Sequence, residues 1–127
     1  MIYEFDPVIY PRLVWVAINP TQKELDDFFE GPIPPMATTS SAEVRHARRL
    51  KPDVKAGLLV RFCNRKAVDL DTIVHESNHV AFEIFEYIGA DVDTEHQEPF
   101  CYLSGWVAKC INEAKNGRAS RKEQLCQ

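Results

Sequence analysis

The run His75-Glu76-Ser77-Asn78-His79 has the residue types and spacing of a metal-assisted hydrolytic centre. On a helix, histidines at i and i+4 stand one turn apart, about 6 Å along the axis. Both imidazoles can then converge on one ion at Zn–N distances of about 2.0 Å. Glu76 points to the adjacent side, outside direct coordination but within reach of a metal-bound water, which is the position of a general base beside a Lewis acid. A catalytic zinc takes three protein ligands and keeps one position open for water. Downstream donors are Asp91, Asp93, Glu95, His96 and Glu98. Glu98 is the expected third ligand, because Pro99 marks the first turn of a helix and holds Glu98 at a rigid terminus. His96 is its rival, imidazole being an equally good donor. Tyr102, one turn beyond Glu98, could donate its hydroxyl to an oxyanion, and His46 could do the same. The competing readings are bland: a solvated helix face for the histidines, and for Glu98 an ordinary N-terminal acid facing the helix dipole.

The elements around the motif favour the chemical reading. A helix is predicted over residues 72–88, with Asp69 or Asp71 as N-cap and Gly89 as C-cap. Ile73, Ser77, Val80, Ala81, Ile84 and Ile88 form its buried stripe, while His75, His79, Glu83 and Glu86 fall off that stripe. A second helix runs to about Glu113, burying Phe100, Leu103, Val107, Cys110 and Ile111. Upstream, Leu58-Leu59-Val60-Arg61-Phe62-Cys63 is a strand candidate, and residues 13–18 form another after a shorter edge piece interrupted by Pro7 and Pro11. Thr21 and Glu24 make a capping box for a short helix ended by Gly31. Residues 31–40 form a Pro-rich extended linker. Residues 41–50 read either as helix, from Ser40 and Glu43, or as a strand with Ala42, Val44 and His46 alternating; as a strand they form a hairpin with 58–63. Trp15 and Trp106 read as packing residues.

With 127 residues, 45% of them hydrophobic, the chain fits one domain burying about two thirds of its unfolded surface. Residues 1–114 are assigned to that domain and 115–127 to a polar tail. Fifteen basic against nineteen acidic residues give a net charge of −4, so no global positive field holds nucleic acid. Arg45, His46, Arg48, Arg49 and Lys51 form a local basic cluster that could meet an acidic partner or a phosphate, though such a run is more often a solvated face. No stretch has the length of a membrane span, and the N-terminus lacks the order of a signal peptide. A cytoplasmic protein is expected, with Cys63, Cys101, Cys110 and Cys126 as free thiols, Cys101 and Cys110 buried.

His-Glu-x-x-His on a helix, followed after eighteen intervening residues by Glu98 at the start of the next helix, resembles the gluzincin group of zinc metallopeptidases. More narrowly it is similar to small zincin-like proteins of the minigluzincin type, found in phages and bacteria. The resemblance covers mainly residues 58–111. It implies Zn2+ held by His75, His79 and Glu98, with Glu76 as base, and a peptide substrate antiparallel to the strand that starts at Leu58 and ends at Cys63. It also implies an α+β fold, a small zincin-like domain whose short mixed or antiparallel sheet packs on the motif helix and a second C-terminal helix. Larger gluzincins carry, four residues after the third ligand, an Asp that orients a ligand histidine; here that position is Tyr102. Support for the imidazoles must come from elsewhere, Glu83, Glu86 or a backbone carbonyl. The expected function is therefore a zinc-dependent metallopeptidase or amide hydrolase. The alternative is a zincin-fold binding or assembly protein without turnover, holding a structural metal or none.

Overall fold

Alternating β-branched and aromatic residues build the sheet, and prolines bound its first strands. The computed structural model describes residues 1–117 and the backbone of 121–122. The order is β1 (Ile2–Asp6), β2 (Leu13–Ile18), α1 (Gln22–Phe28), β3 (Ala42–Arg49), β4 (Lys55–Phe62), α2 (Leu70–Ile88), α3 (Glu98–Lys115) and β5 (Arg121–Lys122). The class is α+β, as expected. The strands align as β3-β4-β2-β1-β5 in one mixed sheet. β1 with β2 and β3 with β4 are antiparallel, and β2 with β4 and β1 with β5 are parallel. Of the stretch expected as a tail, Lys115 still belongs to α3 and β5 pairs with β1; residues 118–120 and 123–127 lie outside the described residues.

Residues 42–49 resolve as strand, and the predicted hairpin forms with β4 in the register Val44↔Val60 and His46↔Leu58. β4 begins at Lys55, upstream of the expected start, and carries Gly57 through it. A Cβ at Gly57 would lie 2.3 Å from the Leu13 carbonyl oxygen and 2.8 Å from the Trp15 ring, so the close approach of β2 demands glycine.

The sheet is covered on both faces. Phe5, Val14, Val16, Leu58, Val60 and Phe62 pack against Val80, Ala81 and Ile84 of α2 and Leu103, Val107 and Ile111 of α3. Trp15, Ala17, Ala47 and Leu59 pack on the other face against Leu25, Phe29 and Ile33. Each fully buried Leu or Val contributes about 1.5–3 kcal/mol. Three expectations are corrected here. Ile88, in the last turn of α2, is exposed, and Phe85 takes the buried place. Cys101 is exposed because it lies off the packed stripe of α3, while Cys110 is buried as expected. Arg49 is no solvated residue: it is buried, donating to Glu4 Oε1 at 2.6 Å and Asp53 Oδ1 at 2.9 Å.

The expected peptide-docking strand is also corrected. β4 lies between β3 and β2, so both its backbone edges are taken. Its unbroken Leu58-Leu59-Val60 run is buried on both faces, as a central strand requires. The edge is β3. At its far end Glu30 N–H donates to Arg48 O at 2.8 Å and Leu50 N–H to Phe28 O at 3.0 Å, leaving the outer side of Ala42 to Ala47 without a paired strand among the described residues. Among those residues no helix is long and apolar enough to cross a membrane.

Candidate metal centre

α2 is held at both ends. Asp69 accepts from the Thr72 amide at 3.1 Å, and Gly89 closes the helix in the left-handed region at φ 73°. Between these caps the helix has two working flanks. Toward α3, Phe82 and Phe85 meet Phe100 at ring-centroid distances of 4.7 and 5.6 Å, and the Ser104 hydroxyl donates to Asn78 Oδ1 at 2.6 Å. Toward β3, Glu83 Oε2 lies 3.6 Å from His46 Nε2.

A groove of about 370 Å³ opens on the β3 flank. The strand contributes Ala42, Glu43 and Val44; α2 contributes His75, Glu76, His79, Phe82, Glu83 and Glu86. The Nε2 atoms of His75 and His79 stand 3.2 Å apart, with the rings steeply inclined at 72°. Two nitrogens bound tetrahedrally to zinc stand about 3.3 Å apart, which follows from the Zn–N length. The pair thus already has the separation of a two-nitrogen chelate, and as two of zinc's protein donors these residues fit the ion.

Glu76 is buried, 7% exposed, with Oε2 3.9 Å from His75 Nε2. Burial pushes its carboxyl above the ordinary range, the charges of His75 and His79 pull it back, and Glu43 adds to the rise. A carboxyl so placed is poised to take and return protons. Glu43 is fixed in turn by Arg61, whose Nε donates to it at 3.0 Å while Nη2 donates to the Pro34 carbonyl at 2.8 Å.

The structure brings His75, Glu76 and His79 together with Glu83 and Glu86, and leaves Glu98, His96 and Tyr102 apart from them. Glu98 and Tyr102 are exposed. α3 turns Leu103, Val107, Cys110, Ile111 and Ala114 inward, and at 100° per residue Glu98 and Tyr102 fall on the opposite side. α3 meets α2 across Phe82, at the rim of the groove opposite β3, and contributes no residue to its lining among the described residues. His96 lies in the exposed loop before α3, its Nδ1 2.7 Å from Asp93 Oδ2. Among the described residues no group of three His, Cys, Asp or Glu side chains is placed to share one metal. His46 sits at the end of the groove with Glu83, outside its lining. Glu83 and Glu86, expected as support for the imidazoles, do line it; their signal was the spacing of four and seven residues from His79. Glu43 was missed, and became readable only once residues 42–49 proved to be strand. No protein-family model, curated protein or solved structure matches the chain.

Proposed function

We propose that the chain is a small zincin-like, zinc-dependent peptidase or amide hydrolase. One observation carries this reading: two imidazole Nε2 atoms at 3.2 Å share a groove with a buried glutamate whose carboxyl is raised. His75 and His79 would hold the ion. No third donor converges with them among the described residues; of the carboxylates lining the groove, we assign Glu83, one turn beyond His79, to complete the set on metal binding. Zinc, when bound, polarises a carbonyl and lowers the pKa of water to about 7. Glu76 takes a proton from the attacking water and returns it to the leaving amine, its burial keeping that proton close to the reaction. The outer edge of β3 holds the substrate as an added strand, giving affinity with modest side-chain selectivity. We place the protein in the cytoplasm, where Cys63, Cys101 and Cys110 stay as thiols.

The test is Glu76→Gln in the zinc-loaded chain. Retained zinc with hydrolysis of a verified peptide reduced at least about a thousandfold supports the role; an unchanged rate removes it. A second reading, a binding protein without turnover, is favoured by one observation, that among the described residues no third metal donor converges with His75 and His79.

A further inference from the structure

Beside the metal groove, a second groove of about 480 Å³ wraps the C-terminal half of β3. Arg12, Arg45, His46 and Arg48 line it, with Glu30 the one acid among the described residues of that lining. The cations are only lightly committed. Arg48 Nε lies 3.5 Å from Glu30 Oε2, both side chains more than half exposed, a pair readily exchanged for another carboxylate. Arg45 Nη1 lies 3.6 Å from Glu43 Oε2, a carboxylate already held by Arg61, and Arg45 Nε is buried without a hydrogen-bond partner. Arg12 lays its guanidinium face on the Tyr87 ring, 3.3 Å from the centroid, which leaves the N–H edge for an anion.

The strand edge is open upstream of Arg48, where Phe28 to Glu30 no longer cover it. Arg48 O and Leu50 N point outward, as their bonds to Glu30 and Phe28 show. By the two-residue period of a strand, the N–H and C=O of Val44 and His46 point outward too. Alternating donors and acceptors at strand spacing fit an extended peptide. A nucleic acid would find no such match for its backbone, and would meet a chain of net charge −4.

We propose that this groove is a specificity site for acidic peptides: carboxylate side chains in the N-terminal part of a peptide added to β3 are read by Arg45, Arg48 and Arg12. The proposal rests on the peptidase reading for its biological sense. Antiparallel addition along the unpaired stretch Ala42 to Ala47, the more stable pairing, sets the N-terminal end of the peptide at His46, next to the Arg48 side chain, and its middle beside Val44 and the histidines.

The test separates docking from hydrolysis. Fluorescein-labelled decapeptides with two aspartates, or two asparagines, in the N-terminal half are titrated by fluorescence anisotropy into the full chain carrying Glu76→Gln. Expected is about tenfold tighter binding of the aspartate peptide, an advantage that shrinks in 0.5 M salt and is lost in Arg48→Gln. Arg48 is an exposed position, and Arg45→Gln, checked for folding by circular dichroism, gives the second variant. Equal affinities, no binding of either peptide, or an aspartate advantage surviving both substitutions overturns the proposal. Cleavage by the native chain is scored separately: aspartate-selective binding without cleavage keeps this site and removes the peptidase reading, while equal cleavage of two equally bound peptides does the reverse.

Discussion

Ser104 donates a 2.6 Å hydrogen bond to Asn78, a residue inside the His-Glu-x-x-His run, and this bond fixes which side of α3 meets α2. With Ser104 and Phe100 turned toward α2, Glu98 is turned toward solvent. Glu98→Gln should therefore leave zinc affinity within about twofold of the native value, whereas Glu83→Gln should weaken it by about ten- to a hundredfold. Competition titration against a chromophoric chelator measures both. A hundredfold loss in Glu98→Gln with none in Glu83→Gln would restore the ligand set implied by the gluzincin resemblance and contradict the placement of α3.

Arg49 and Arg48 are neighbours with opposite duties. Arg49 bridges Glu4 and Asp53 while Glu4 also accepts from Trp15 Nε1 at 2.9 Å, so removing the guanidinium strands a half-buried carboxylate. Arg49→Ala should cost about 3 kcal/mol, a fall in Tm of about 10 °C. Arg48→Ala should cost less than about 0.5 kcal/mol. Thermal melts followed by circular dichroism distinguish them; equal losses would contradict the division.

The N-cap of α2 makes stability depend on acid. Hydrogen bonds from the Thr72 side chain and amide hold the Asp69 carboxyl below its ordinary range. A carboxyl that is more acidic when folded stabilises the fold above the unfolded Asp value of about 3.9. That contribution disappears as pH falls through the lower, folded value. Asp69→Asn keeps a capping oxygen but not the charge. The native chain should melt higher than the variant near pH 7, with the gap closing below pH of about 4; a gap independent of pH would contradict the assignment.

How much of this was legible depended on whether local pattern or tertiary partner decided the outcome. α2 was readable because caps and stripe agree: Asp69, Gly89 and the run Ile73, Val80, Ala81 and Ile84 all specify one helix. Residues 41–50 carried two consistent local signals, a capping box and an alternation, and pairing with β4 selected the strand. The place of β4 in the sheet was written in Leu58-Leu59-Val60, apolar on both faces, but a resemblance that needed an edge strand overrode it. Glu98 was likewise chosen on local signal alone. Its position before Pro99 was weighed, while its angular distance from Leu103 and Val107 was not. The pairing of Arg49 with Glu4 spans forty-five residues and has no local signature.

The most direct test of the metal centre is zinc content by elemental analysis, on protein purified without a metal-affinity tag, comparing the native chain with His79→Ala. Expected is about one zinc per native chain, with none in the variant. No zinc in either protein, even after dialysis against zinc, would contradict the metal centre and leave His75 and His79 as a hydrogen-bonded surface pair.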